Sequence, residues 1–308
     1  MNYHEFSCRS CGVIMSCDQR FEYVRCGRCG SYNYISENPA DVDNENYFDS
    51  FYSSYYLRPL FLRSLLYNFF LRVYNFFHLR QVMVFERGMR KVKNLIVESK
   101  ATLEVGFGSG SEMVKFLSLG ANMFGRETSK EAVNNFILRY PKYADRVSMG
   151  KDDDNIYDVV YSNALFEHLD APYEFLEKID VRLSKGGLLI TKLPLVSAGS
   201  FLGRERYDIN FWKPCHRALY TEKGLRLLFK KHGFTIRQVI RLKYYGYRVM
   251  SAMMKQGYED IEKVRNPVFP IRGLSFCSYL MCLFKGFFYP ISCEDSIVFA
   301  IKSNKCEN

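Results

Sequence analysis

The chain has 308 residues, of which 48% are apolar and 25% charged, so it contains enough apolar material for a substantial core and is not a disordered tail. Lysine and arginine number 43 against 33 aspartates and glutamates, and the net charge of +10 favours an anionic partner such as a phosphate, a nucleic acid or a membrane surface. The first residues lack the basic start and apolar run of a secretory signal, so we expect a cytoplasmic protein, with a peripheral membrane contact left open.

Two C-x-x-C pairs lie near the start of the sequence. Cys8 and Cys11 form the first pair, Cys26 and Cys29 form the second, and a glycine follows each pair. Two residues between thiolates let one tight turn place both sulfurs about 2.3 Å from a single ion. The pattern resembles the zinc ribbon family over residues 6–35. It predicts a structural zinc ion held by all four cysteines, because a four-thiolate site leaves no position for a substrate.

The composition changes along the chain and predicts four segments. We place the ribbon at residues 1–36 and an acidic linker, which has no basic residue, at 37–54. Residues 55–100 show apolar residues at helical spacing, interrupted often by arginine or lysine, and predict a connector of two helices that cannot span a membrane. Residues 101–308 form the main domain, with a helical, basic and aromatic insertion at about 240–292.

Short apolar runs alternate with helical stretches in the main domain. Strands are predicted at residues 103–106, 122–125, 158–162, 187–193 and 296–302, and a helix at 221–232. Uninterrupted apolar strands are typical of parallel sheets that are covered by helices on both faces. The sequence therefore predicts an α/β fold with a Rossmann-like, doubly wound sheet, to which the small ribbon and the helical segments are added.

A glycine-rich loop follows the first of these strands. Gly106, Gly108 and Gly110 allow a ligand to approach the backbone, and the amides of the helix that follows favour negative charge. The dinucleotide-binding fingerprint requires glycine or alanine at the position of Ser111, which weakens that interpretation. With Glu104 included, the E-x-G-x-G-x-G pattern resembles the first motif of class I S-adenosylmethionine-dependent methyltransferases.

The resemblance covers about residues 101–236 and implies further contacts to S-adenosylmethionine. Glu127 ends the second strand, where the family places a carboxylate that accepts hydrogen bonds from both ribose hydroxyls. Asp152, one of three adjacent aspartates, is interpreted as the contact to the adenine amino group. Asn163 ends a fourth-strand segment that matches the family and is included among the cofactor-binding residues.

Two histidines are candidates for the catalytic base. His168 follows the fourth strand, at the edge of the sheet that faces the cofactor methyl group, and a neutral imidazole there could take a proton from a hydroxyl or amine. His216 could serve instead, or could contact a phosphate or carboxylate. A basic and aromatic group after the fifth strand suits an anionic substrate: Arg204, Arg206, Lys213 and Arg217, beside Tyr207, Trp212 and Tyr220.

The resemblance extends to methyltransferases of bacterial small-molecule and surface-polysaccharide pathways, some of which carry an N-terminal zinc ribbon. It implies methyl transfer to a small-molecule acceptor, such as a sugar nucleotide or a lipid-linked intermediate, in surface polysaccharide or secondary metabolism. Two alternatives stay open. One is methylation of RNA or protein, which the net charge favours. The other is a binding module that holds the cofactor without turnover.

Overall fold

The computed structural model describes residues 3–18, 23–35, 65–150, 154–197, 208, 210–211, 215–256, 275–288 and 293–303. The strands are β1 (Tyr3–Ser7), β2 (Ile14–Asp18), β3 (Tyr23–Arg25), β4 (Tyr32–Tyr34), β5 (Thr102–Val105), β6 (Met123–Glu127), β7 (Val147–Met149), β8 (Tyr157–Asn163), β9 (Leu183–Val196), β10 (Ala218–Thr221), β11 (Phe234–Leu242) and β12 (Cys293–Lys302). The helices are α1 (Leu65–Phe77), α2 (Leu79–Glu98), α3 (Ser111–Ser118), α4 (Lys130–Arg139), α5 (Pro172–Arg182), α6 (Glu222–Lys231), α7 (Tyr245–Met254) and α8 (Phe276–Gly286), with 3-10 helices at Pro141–Arg146 and Phe166–His168.

The main sheet has ten strands, and its centre runs β9-β8-β5-β6-β7 with all neighbours parallel. The five strands predicted from the sequence are confirmed as β5, β6, β8, β9 and β12, and the predicted helix is confirmed as α6. β12 lies antiparallel between β9 and β11. The predicted Rossmann-like α/β fold is therefore confirmed, with β7, β10 and β11 as additions that the sequence analysis missed.

Successive residues of β8 belong to different cores, because side chains alternate between the two faces of a strand. Val160 packs with α5 and α6, whose buried side chains include Leu176, Ile179, Leu225 and Phe229. Val159 packs on the other face with α2, α3 and α4, whose buried side chains include Val92, Ile96, Met113 and Phe136. Both faces of the sheet are covered, which explains why its central strands are almost entirely apolar.

The helical connector and the described part of the insertion form a third core. Tyr67 and Tyr74 of α1 pack against Tyr245 and Val249 of α7 and against Leu283 of α8. The two predicted connector helices are confirmed as α1 and α2. None of the described helices is long and apolar enough to cross a membrane.

The cysteine-rich segment is joined to the main sheet. β1 pairs with β2, β3 pairs with β4, and β4 pairs antiparallel with β10, so that the second hairpin extends the sheet at its edge. The Tyr34 amide continues this ladder by donating to the Arg217 carbonyl at 2.9 Å. The acidic linker predicted at 37–54 lies outside the described residues. The pairing of β4 with β10 makes the second hairpin part of the main sheet.

Candidate active site

The glycine loop connects β5 to α3 at the carboxyl end of the sheet. Gly106, Gly108 and Gly110 all have positive φ angles, of 72°, 51° and 67°. A Cβ at Gly110 would lie 2.1 Å from the Phe136 ring, and one at Gly106 would lie 3.1 Å from Leu165. The backbone conformation and the close neighbours both require glycine, so the loop leaves its amides open to a ligand.

Glu127, at the end of β6, is bonded to this loop. Its Oε2 accepts from the Gly108 amide at 2.8 Å, and its Oε1 accepts from the Thr128 amide at 2.8 Å. The side chain is buried, so its position is fixed. Oε1 also accepts from Thr128 Oγ1 and from the Ser129 amide, whereas Oε2 accepts only from Gly108 and keeps a second lone pair that a ribose hydroxyl could use.

Glu104 lies beneath the loop and is almost fully buried. Its Oε2 has no hydrogen-bond partner among the described residues. Burial raises the pKa of this carboxyl well above its usual value, and the nearby charge of Glu112 raises it further. An unpartnered buried oxygen that faces a ligand loop suits a ligand with a polar or cationic group, and the methionine part of S-adenosylmethionine carries an ammonium group.

A second polar cluster, of which the sequence analysis identified only Asn163, lies beside Glu104. Glu112, in the first turn of α3, accepts from the Tyr161 hydroxyl at 2.5 Å, from Asn163 Nδ2 at 3.1 Å and from Lys192 Nζ at 3.1 Å. Burial alone would raise the pKa of Glu112, but the Lys192 ammonium and the Tyr161 hydroxyl outweigh it and lower the pKa. A carboxylate in the first helical turn after the glycines was the one sequence signal for this cluster.

The two candidate histidines lie close to each other, one after β8 and the other before β10. His168 ends the 3-10 helix after β8, His216 precedes β10, and their ring centroids are 4.7 Å apart. His168 Nδ1 lies 2.9 Å from the Cys215 carbonyl oxygen, and His216 Nδ1 lies 2.6 Å from the Asn210 carbonyl oxygen. A carbonyl only accepts, so Nδ1 carries a proton in both rings.

The four cysteines of the ribbon converge on one point. The Sγ atoms of Cys8 and Cys29 are 3.7 Å apart, and those of Cys11 and Cys26 are 3.6 Å apart. A tetrahedral zinc ion with bonds of about 2.3 Å places its sulfurs about 3.8 Å apart, so the spacing fits. A hydrogen bond from the Cys29 thiol lowers the pKa of Cys8 to about 4, and the same bond raises the pKa of Cys29.

A family model described as a methyltransferase domain matches residues 78–239, more than half of the chain. This chain belongs to the methyltransferase domain family. It is an S-adenosylmethionine-dependent methyltransferase, and the glycine loop with Glu104 and Glu127 fits that cofactor. No curated protein sequence matches the chain.

Three solved structures are similar to this methyltransferase. A candidate sarcosine dimethylglycine methyltransferase from Galdieria sulphuraria is 13% identical, with a TM-score of 0.51 over 73% of this chain and 85% of that chain, which shows a shared fold. Phosphoethanolamine N-methyltransferase 2 from Haemonchus contortus, in complex with phosphomonomethylethanolamine and S-adenosylhomocysteine, is 15% identical, with a TM-score of 0.49 over 73% and 52%. Geranyl diphosphate C-methyltransferase from Streptomyces coelicolor A3(2), in complex with Mg²⁺, geranyl diphosphate and S-adenosylhomocysteine, is 13% identical, with a TM-score of 0.47 over 70% and 79%.

Two residues of the predicted anion-binding group are placed differently from the expectation. The Arg217 side chain is buried, and its Nε lies 3.2 Å from Asp170 Oδ1, so its charge is already paired. Tyr220 is fully buried, and its hydroxyl donates to the Phe166 carbonyl, so its ring offers no face to a sugar. Asp152 lies outside the described residues. So do the other members of the predicted anion-binding group: Arg204, Arg206, Tyr207, Trp212 and Lys213.

Proposed function

We propose that this methyltransferase transfers a methyl group to a small-molecule acceptor, a sugar or lipid-linked intermediate that carries an anionic group. The observation that carries the proposal is that the glycine loop follows β5 and His168 follows β8, which are neighbouring parallel strands, and that the His216 ring lies 4.7 Å from the His168 ring. The carboxyl ends of parallel strands meet at one edge of the sheet, and ligands of open α/β sheets bind there. Cofactor and acceptor can therefore be bound side by side.

On the cofactor side, S-adenosylmethionine supplies an electrophilic methyl group on a sulfonium. The loop amides and Glu127 hold its polar parts, with the carboxylate accepting from the ribose hydroxyls. The buried Oε2 of Glu104 accepts from its ammonium group. Two further residues complete the proposed cofactor site. Asn163 is included because it is bonded to Glu112, and Asp152 is included because of the family resemblance.

On the acceptor side, His168 and His216 are the proposed catalytic residues. Nδ1 of each ring donates to a backbone carbonyl, so Nε2 is the nitrogen that would accept the proton. A sugar or lipid-linked acceptor is supported by the resemblance of residues 211–234 to methyltransferases of surface-polysaccharide pathways. The net charge of +10 is compatible with an acceptor that carries phosphate.

The ribbon holds a structural zinc ion in this proposal, through Cys8, Cys11, Cys26 and Cys29. Positive φ angles at Gly12 and Gly30 close the two knuckles, and the amides of these glycines donate to the Cys8 and Cys26 carbonyls. Four thiolates fill the coordination of zinc, so this ion supports the fold without taking part in catalysis.

Calorimetric titration with S-adenosylmethionine tests the cofactor site. Gly106→Val places side-chain atoms against Leu165 and into the loop, and we expect it to abolish binding. Glu127→Ala removes the acceptor of the ribose hydroxyls, at a cost of ~1 to 3 kcal/mol, or about 5- to 150-fold in affinity. Glu174→Ala, an exposed carboxylate in the first turn of α5, is the control and should bind like the wild type. Unchanged affinity in both site variants would refute this assignment.

A further inference from the structure

The outward face of α8 is apolar, although it borders water. The inward face of this helix is buried in the core that α8 shares with α1 and α7. On the opposite side, exposed apolar residues recur at helical spacing along α8 and the turn that follows it: Cys277, Met281, Phe284 and Phe288. Phe284 is 62% exposed and Phe288 is 75% exposed. A helix at the surface normally presents polar residues to water, so this face is typical of an interaction surface.

α1 presents exposed phenylalanines beside those of α8. The exposed rings of α1 are Phe69, Phe76 and Phe77. Ring contacts connect the two helices: the centroid of the Phe70 ring lies 5.8 Å from that of Phe69 and 5.9 Å from that of Phe287. The Phe287 ring in turn lies 6.4 Å from the Phe288 ring. The exposed rings of both helices therefore form one surface, the aromatic face, which consists of Phe69, Phe76, Phe77, Phe284 and Phe288.

The charges within and beside the aromatic face are basic. Within their described bounds, α1, α7 and α8 contain no aspartate or glutamate. Exposed Arg72 lies one helical turn from both Phe69 and Phe76, exposed Arg80 lies one turn further along, and Lys285 is exposed on α8. A second copy of this chain, docked face to face, would bring these like charges together. An anionic surface would neutralise them.

The segment that carries α7 and α8 leaves and rejoins the sheet at the edge where ligands bind. β11 ends at Leu242, which pairs with Asp295, and β12 begins at Cys293, which pairs with Val196 at the end of β9. Because β9 is parallel to β8, and β8 to β5, its carboxyl end lies at the same edge as the glycine loop and His168. The third core is therefore connected to the edge that holds the cofactor and the acceptor.

We propose that the aromatic face binds the surface of an anionic lipid bilayer. Interfacial helices combine apolar rings, which enter the boundary between headgroups and acyl chains, with basic side chains whose charged ends reach the lipid phosphates. The aromatic face with Arg72, Arg80 and Lys285 has both components. One consequence rests on the proposed function: a lipid-linked acceptor would reach the active site from the bilayer that the protein is bound to.

Vesicle flotation with the full-length chain tests the proposal. We expect the wild type to bind vesicles of phosphatidylglycerol and phosphatidylcholine in equal amounts, and to bind phosphatidylcholine alone more weakly. Phe284→Ser combined with Phe288→Ser should lower the vesicle affinity by at least about 10-fold, because both changes remove apolar area that the bilayer would bury. Leu138→Ser changes a leucine that is 80% exposed on α4, and this control should bind like the wild type.

The contribution of charge is measured with a second variant. Arg72→Gln combined with Lys285→Gln should lower the affinity for the mixed vesicles by roughly 5-fold per charge, and should leave the affinity for phosphatidylcholine alone unchanged. Lys178→Gln, which removes an exposed charge on α5, is the matched control and should have little effect on either.

Three results would overturn the proposal. The first is wild-type protein that does not bind the mixed vesicles, and the second is equal binding by the wild type and the double phenylalanine variant. The third is a dimer in sedimentation, abolished by that variant, with no vesicle binding, which would assign the aromatic face to a second copy of the chain. Calorimetry with S-adenosylmethionine on the same proteins reports separately on the proposed function. Vesicle binding by protein that binds no cofactor would refute the proposed function and leave the membrane surface intact.

Discussion

The cofactor side and the acceptor side of this methyltransferase are built in different ways. The loop from Gly106 to Gly110 and its partner Glu127 come from about 25 consecutive residues, and their contacts are local. The acceptor side depends on residues that are far apart in sequence. Tyr23 of the ribbon donates to the His216 carbonyl at 2.8 Å across 193 positions. The ribbon therefore belongs physically to the acceptor side, although it begins the chain.

The second cysteine knuckle makes the closest connection between the ribbon and the sheet. The Thr221 hydroxyl donates to the Cys29 carbonyl at 2.6 Å and also accepts from the Gly224 amide as the N-cap of α6. The Thr221 amide donates to Ser31. A change in the cysteine cluster can therefore reach β10 and the start of α6 directly, while the glycine loop lies on other strands.

The largest effect is expected from breaking the cysteine site. Cys29→Ser removes a buried ligand of the proposed zinc ion, and a segment of about 30 residues has too little core to stay folded without such an ion. We expect hydrogen exchange to accelerate by about 100-fold or more, on the order of 3 kcal/mol of local stability, in residues 23–35 and 215–221. Exchange in the glycine loop should stay unchanged. Cys277→Ser, an exposed cysteine on α8, is the control.

A substitution in the glycine loop should destabilise the protein from the cofactor side. Gly110→Ala combines strain at positive φ with a contact to Phe136 that is too close, and should lower the free energy of unfolding by about 4 kcal/mol. Gly120→Ala is the matched control, because its φ is also positive but a Cβ there meets nothing within 4 Å. It should cost only about 1 kcal/mol. Equal losses in the two variants, measured by urea unfolding, would contradict the packing argument.

Asp295, on β12, predicts that the free energy of unfolding depends on pH. Burial raises the pKa of Asp295 to about 6, and the charge of Lys192 only partly offsets this. A carboxyl whose pKa is higher in the folded state stabilises the fold most at low pH, below its unfolded pKa of about 4, and this contribution of about 3 kcal/mol is lost as the pH rises through 6. Asp295→Asn should remove that part of the slope in urea unfolding between pH 4 and 7. An unchanged slope would show that Asp295 is not the group responsible.

The smallest effect concerns the ion pairs between the ribbon and the sheet. Asp170 lies 3.3 Å from Arg9 of the ribbon and 3.2 Å from Arg217, but its side chain is half exposed. We expect Asp170→Asn to lower the free energy of unfolding by about 1 kcal/mol. Asp154→Asn, which loses a pair between a fully exposed carboxylate and Arg182, should be close to neutral when both variants are compared by thermal unfolding. A neutral Asp170→Asn would mean that backbone pairing alone joins the two parts.

The contrast between local contacts and contacts between residues that are far apart in sequence explains how much of the structure could be predicted. β5, β6, β8 and β9 each contain a short apolar run, and the glycine loop is a local motif, so both were visible without a structure. β11 was missed because Arg237, Gln238 and Arg241 interrupt it, as expected for a strand near the edge of the sheet with one exposed face. Glu112 and Lys192 lie 80 residues apart and meet only in the fold. No spacing pattern predicts such a pair.

Calorimetry with S-adenosylmethionine on the wild type, Cys29→Ser and Glu127→Ala is the most direct test of the central claim. This claim is that the ribbon is attached to the acceptor side and not to the cofactor side. We expect Cys29→Ser to bind the cofactor within about threefold of the wild type, because no glycine-loop contact involves the ribbon among the described residues. Glu127→Ala should lose about 5- to 150-fold in affinity. If Cys29→Ser loses as much affinity as Glu127→Ala, the ribbon and the cofactor site form one unit and the account is wrong.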